Sequence, residues 1–317
     1  PSWDTYLNAA EDNADGTIVV TTTGSANGAT VTVTGMGVTD TCTVSSNSCT
    51  VTVAAADLQA LTNGDTYTIT VNVDDAAENS ATPDTGDTFV YDITAPTISD
   101  VVPSWDTYLN AAEDNADGTI AITTSGAADG QVVTVTGMGV TDTCALSTNT
   151  CTVTVAAADL QALSDGTTYT ITVNVDDVAG NSATPDTGDT FVYDITASVT
   201  SVTLSDGDYV NAAEDNSDST VTVATSGVED GRTMSVTINS VAYSCTVGTN
   251  SCAATIPASA LQALTDGTTY TISVTGTDLA GNTASDSGTT FVYDITASVT
   301  SVTLSDGDYV NAAEDNS

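Results

Sequence analysis

The chain has 317 residues, 42 of them acidic against a single basic residue, Arg232, with no lysine and no histidine. A net charge of −41 leaves nothing to neutralise phosphate, which excludes nucleic acid as a partner, and it sets the chain against anionic membranes. A nucleophilic triad lacks its base, no apolar run is long enough for membrane insertion, and 40% hydrophobic content in alternating patterns argues against disorder.

The sequence repeats. Trp3 recurs as Trp105, and Cys42 as Cys144 and Cys245, a period of 100–102 residues that matches one small domain. Residues 1–15 return as 103–117, and 197–217 recur word for word as 297–317. The expected organisation is a first repeat at 1–95 without its first strand, a second at 96–197, a third at 198–297, and the first strand of a truncated fourth at 298–317. A window from a longer tandem array accounts for both ends. A tail that lends its strand to another copy is the alternative.

Within the second repeat, 97–102 reads as the opening strand. Residues 119–123 alternate with Ile120 and Ile122 on one face, and 131–136 with Val133 and Val135, the period of a half-buried strand. Segments 140–146 and 150–155 read as a hairpin, with pairs 144/151, 145/150 and 146/149 facing across a Ser147-Thr148 turn. In the third repeat the corresponding turn is Gly248-Thr249, with glycine in a position that suits a tight hairpin. A short Ala-rich segment, 156–163, follows. The clearest strand, 169–175, points Tyr169, Ile171, Val173 and Val175 inward, and 191–193 closes the repeat. Seven or eight short strands between Gly, Asp and Asn turns predict an all-β sandwich. The run L-S-D-G-T-T-Y at 163–169 places a tyrosine at the start of a late strand, as in the tyrosine corner of immunoglobulin-like sandwiches. Tyr67 and Tyr270 hold the same place.

Six cysteines form three C-x6-C pairs: Cys42 with Cys49, Cys144 with Cys151, and Cys245 with Cys252. They lack the spacing and the four ligands of a zinc site. One pair per repeat reads as a structural disulfide in an oxidising, extracytoplasmic location. Closing so short a loop is worth about 2–3 kcal/mol on the chain-entropy model.

Taken in their fixed order, the motifs resemble the bacterial Ig-like tandem repeats of giant surface adhesins and biofilm-associated proteins. The likeness is carried by N-A-A-E after the first strand and by A-A-A-D-L-Q-A-L-x-D-G-T-T-Y-T-I-T-V-N-V-D-D before and along the Tyr strand. V-A-G-N-S-A-T after that strand and the D-I-T-A-P linker complete it. The resemblance implies tandem immunoglobulin-like β-sandwich domains in an extended rod, located outside the cell or on its surface. It implies a structural, non-enzymatic role as the stalk of a giant adhesin, partnered by its neighbouring repeats, with calcium at the junctions. The cysteine pairs depart from that pattern.

The path of such a sandwich sets Glu11 and Asp92 of one repeat opposite Asp177 and Asn181 of the next. It likewise sets Glu113 and Asp194 opposite Asp278 and Asn282. Carboxylates crowded at a short linker repel one another unless a cation sits among them, and calcium takes about six to eight oxygen ligands in flexible geometry. These eight residues are therefore the expected interdomain Ca2+ ligands, the alternative being ordinary turn and surface acids. D-N-A-D-G at 12–16 and 114–118 lacks the full EF-hand pattern and reads as a turn. Two further functions stay open. One is a self-assembling extracellular filament joined by strand exchange or lateral contacts between copies. The other is a carbohydrate-binding module using Trp3 and Trp105, for which packing is the competing role, since the third repeat has Asp206-Gly207-Asp208 in that region.

Overall fold

The computed structural model describes residues 1–303. It forms two compact units, Pro1–Leu109 with Glu113–Tyr193, and Asn110–Ala112 with the chain from Asp194 onward. The described residues are strand and turn apart from single helical turns such as Ala55–Leu58, Ala157–Leu160 and Ala258–Leu261. Of the truncated fourth repeat expected at 298–317, residues 298–303 are described and form no strand, and the rest lies outside the described residues.

Alternation builds the sandwich. In Gly118–Ser125 every second residue from Gly118 to Thr124 is buried, because successive side chains of a strand point to opposite faces. That strand lies between Thr150–Val155 and Thr97–Pro103 in one sheet. The facing layer holds Val132–Thr136 between Asp142–Ala145 and Thr172–Val175, and Thr190–Tyr193 between Thr167–Thr170 and Tyr108–Leu109. The third repeat has the same plan, with Thr283–Tyr293 and Thr268–Thr277 unbroken in a five-stranded sheet. Among the described residues, Gly16–Thr21 of the first repeat pairs with Ser48–Val53 in a two-stranded sheet. Phe89 with Tyr91, Phe191 with Tyr193 and Phe291 with Tyr293 are the largest fully buried side chains of the three cores.

The opening strand divides, a feature that alternation alone does not show. Thr97–Pro103 runs antiparallel to Gly118–Ser125, and the chain then crosses to the other layer, where Tyr108–Leu109 runs parallel to Thr190–Tyr193. The crossing carries Trp105 into the core, 3% exposed and edge-on to Phe191 at 5.2 Å. Trp3 does the same against Phe89. Each indole rests on a glycine. A Cβ at Gly118 would stand 2.4 Å from the Trp105 ring. The third repeat changes both members together: Asp206 stands in the indole's place and Ser219 in the glycine's, with the Ser219 hydroxyl donating to the Asp206 carboxylate. Buried tryptophans are packing residues, and neither offers a face on which a sugar could stack.

The three disulfides form between the expected partners, but the hairpin around them differs from the sequence expectation. Asp142–Ala145 pairs with Val132–Thr136, whereas Thr150–Val155 pairs with Gly118–Ser125 in the other layer. The bridge therefore ties the two sheets of the sandwich together at their edge. The turn is Thr148-Asn149, flanked by a Ser147↔Thr150 bridge, not Ser147-Thr148. Thr148 and Asn149 both have positive φ, at 54° and 63°, as a primed two-residue turn requires. In the third repeat Thr249-Asn250 takes this place, and Gly248 sits one position ahead of the turn.

The tyrosine corner is present in all three repeats. The hydroxyls of Tyr67, Tyr169 and Tyr270 accept the N–H of Thr62, Ser164 and Thr265, each at 2.8 Å. This pins the turn before the late strand to the strand itself.

Candidate functional site

The N-A-A-E-D segment makes a compact turn at one end of each repeat. In the first, Asn8 Oδ1 accepts the N–H groups of Ala10 and Glu11, and Glu11 Oε2 accepts the N–H of Asn8, the reciprocal logic of a capping box. Asp12 turns inward instead. The buried hydroxyl of Tyr91 donates to its carboxylate at 2.7 Å. Tyr193 with Asp114 and Tyr293 with Asp215 repeat the bond at 2.7 and 2.8 Å. Burial first, and then the carboxylate partner, pushes all three of these phenols up to about 12. Asp15, Asp117 and Asp218 accept the first N–H of the helical turns at Ala55, Ala157 and Ala258, each at 3.0 Å. In D-N-A-D-G the first acid thus serves the core and the second a helical turn.

At the other end lies the loop after the Tyr strand. Asp177 Oδ1 accepts from the N–H groups of Ala179 and Asn181, and Oδ2 from Asn181 Nδ2. The Asp177 N–H returns to the Asn181 carbonyl at 3.0 Å. Gly180 makes the bend with φ +86°, and a Cβ there would sit 3.3 Å from Asn8 Nδ2. Asp278 and Asn282 close the third repeat's loop in the same way. So do Asp75 and Asn79 in the first, where the Asn79 side chain, then the N–H groups of Asn79 and Ala77, hold the Asp75 carboxyl below its usual range.

Within the first unit these two ends meet. Asn8 Nδ2 donates to the Ala179 carbonyl at 2.8 Å, the Ala9 N–H to Asn181 Oδ1 at 3.0 Å, and Asn181 Nδ2 to the Asp92 carbonyl at 2.8 Å. Within the second unit Asn110 Nδ2 donates to the Ala280 carbonyl at 3.0 Å and the Ala111 N–H to Asn282 Oδ1 at 3.0 Å. Asn282 Nδ2 donates to the Asp194 carbonyl at 2.7 Å. The joint is lined by small residues, Ala9, Ala10, Ala95, Gly180 and Ser182, beside Ile93, so the backbones approach closely enough for direct hydrogen bonds.

The expected calcium ligands take different places around it. Asn181 and Asn282 are at the centre. Asp92 and Asp194 contribute their backbone carbonyls, and the Asp92 carboxylate accepts from Thr94 N–H. Glu11 folds back onto Asn8 and is exposed. Glu113 is exposed and belongs to the first unit. Asp177 and Asp278 are 4% and 0% exposed, with carboxylates given over to N–H donors of their own loops. Among the described residues no three acidic side chains gather as a metal centre would need. As arranged, the donors fit a carboxamide better than a cation cage. The sequence reasoning placed the asparagines at the joint but missed Asn8, Ala9, Ala179 and their counterparts. The first of these was visible as the leading residue of N-A-A-E; the others act only through their backbones.

The model of the bacterial Ig-like domain (group 3) family matches residues 50–194 and 157–304. Among solved structures, the chain is similar to one described as a Ca2+-stabilised adhesin that helps an Antarctic bacterium reach out and bind ice. That match has 30% identity, covering 91% of this chain and 71% of that one with a TM-score of 0.45. It is also similar to a structure concerned with host cell surface retention of a 1.5-MDa bacterial ice-binding adhesin, at 27% identity over 92% and 95% of the two chains, TM-score 0.43. A single bacterial immunoglobulin-like domain from the M. primoryensis ice-binding adhesin matches at 29% identity over 31% of this chain and 99% of that one, TM-score 0.24. No curated protein matches the chain by sequence.

Proposed function

The chain belongs to the bacterial Ig-like domain (group 3) family, and on that premise we propose that it is an extension segment of a large adhesin, displayed outside the cell. Its repeats act as spacers in series. The observation that carries this reading is the pair of joints built alike, each with three hydrogen bonds from one repeat end to the next repeat's loop. A flexible tether has no use for such fastenings, whereas a spacer that must project a distant element does. The charge works in the same direction, since like-charged repeats resist folding back on one another. No helix among the described residues is long and apolar enough to cross a membrane.

Calcium enters this reading at the rim of the joint. Glu11 and Asp92 are the carboxylates outside the saturated loop of the first joint that would hold it, and its charge would offset their mutual repulsion. Small-angle scattering of the full chain tests the spacer reading. The expected result is an elongated particle whose length reflects all its repeats in line. A compact particle of the same mass would overturn it. Repeating the measurement with chelator at constant ionic strength tests the rim cation, which predicts a modest loss of stiffness and of melting temperature.

A further inference from the structure

We infer that Asn181 and Asn282 latch the joints of this chain as neutral carboxamides, and that the latch closes without a cation. The inference rests on the spacer reading above and names the group that closes each set of hydrogen bonds. Asn181 uses every hydrogen-bonding function an amide offers along this seam: Oδ1 accepts from Ala9, and the two protons of Nδ2 go to the Asp92 carbonyl and the Asp177 carboxylate. A carboxylate at this position has no proton to give. It would face a carbonyl oxygen and a second, buried carboxylate. With no lysine and a single arginine in the chain, which is engaged by Thr277, no side chain of the protein could offset that repulsion.

Two further observations point the same way. The arrangement occurs twice, once in each unit, with corresponding distances of 2.8 and 3.0, 3.0 and 3.0, and 2.8 and 2.7 Å. Among the described residues, the loop half of the latch also forms where no N-A-A-E-D turn donates to it. In the first repeat Asn79 donates to Asp75 through its N–H and its Nδ2 at 2.9 Å each while the residue itself is exposed. Loop closure therefore does not require docking, and docking orders little besides the Asn8-Ala9 turn, which its own hydrogen bonds already shape. Such preorganisation lowers the entropic cost of closing the joint.

The test uses the full chain and reads amide exchange of Ala9 and Ala111 by NMR, alongside scattering, in calcium and in chelator at constant ionic strength. In the unsubstituted chain both amides are protected in either condition. Asn181→Ala accelerates exchange at Ala9 by at least about tenfold, the effect of roughly 1.4 kcal/mol lost from the closed state, and leaves Ala111 unchanged. Asn282→Ala does the reverse, so each variant carries its own control. Amides of Gly118–Ser125 and Ser219–Ser226 report whether the sandwiches stay folded. Asn181→Asp separates the latch from a metal joint: the latch predicts an open joint with or without calcium, and a metal joint predicts one that calcium closes. Loss of Ala9 protection in chelator alone, unchanged exchange in Asn181→Ala, or rescue of Asn181→Asp by calcium would each overturn the inference. A compact scattering particle would sink the spacer reading, while Ala9 exchange would still decide the latch.

Discussion

Removing one oxygen atom from the second repeat is expected to cost it a large share of its stability. In Tyr193→Phe the ring stays and the hydroxyl goes, leaving the Asp114 carboxylate, 6% exposed, without the donor that stood 2.7 Å away. A hydrogen bond to a charged acceptor contributes about 1.5–3 kcal/mol, and an acceptor left buried bears its desolvation uncompensated. For a domain of this size about 2 kcal/mol lowers the melting temperature by roughly 10 °C. Differential scanning calorimetry of the full chain reads this directly, with the first and third repeats as internal references. The bond also has a pH signature. The folded phenol titrates at about 12, above its ordinary value of about 10, so native protein holds the proton more tightly than unfolded protein. Its stabilisation is complete below pH 10 and is lost as pH rises toward 12. Tyr193→Phe should remove that alkaline slope from the second repeat alone. Coupling with Asp114→Asn in a double-mutant cycle should fall between about 0.5 and 3 kcal/mol. A Tyr193→Phe chain that melts within about 2 °C of the parent and keeps the same alkaline slope would refute the reasoning.

Other outcomes follow from the packing. Gly137 has φ +109°, and a Cβ there would lie 1.9 Å from the Thr170 carbonyl oxygen. Gly137→Ala should therefore destabilise the second repeat by about 1–3 kcal/mol from backbone strain, with the clash in addition, measured by chemical denaturation. Trp105→Ala should cost about 3–5 kcal/mol; glycan-array binding that disappears in this variant while the repeat stays folded would restore a sugar-binding role. Replacing Cys144 and Cys151 together by serine should lower the second repeat's stability by about 2–3 kcal/mol. A loss confined to that repeat in calorimetry is the expected pattern.

The fold was legible because its strands are half-buried. Ile120 and Ile122, or Ile171, Val173 and Val175, declare their faces by alternation alone, and L-S-D-G-T-T-Y declares the corner that Tyr169 makes with Ser164. The same alternation is silent on which sheet a strand joins. Cys144 and Cys151 have inward parity whether 140–146 and 150–155 form one hairpin or span two layers, so the crossing was invisible. The turn register was closer to hand. Asn149 tolerates left-handed backbone better than Ser147, which favours Thr148-Asn149. At the joint, Asn181 and Asp92 could be set near one another from the course of the strands. Their roles could not, because Asn181 bonds the Ala9 N–H and the Asp92 carbonyl, and backbone groups of this kind are everywhere in the chain. Tyr193 and Asp114 are 79 positions apart, too far for spacing to suggest a bond.

The disulfides bear on how such a chain can be made at all. Six cysteines admit about fifteen complete pairings, and the number climbs steeply with each repeat added. Yet every partner lies seven positions away, while the wrong partners in neighbouring repeats are on the order of 100 residues distant. Ring closure falls off as about the three-halves power of loop length, so the local partner is met roughly fiftyfold more often in the unfolded chain. Each bridge can close within its own segment, whether or not the next pair is yet exposed to an oxidant. Oxidative maturation of the array thus becomes a series of independent short-range events, and the added mispairings that each further repeat makes possible stay disfavoured by loop length.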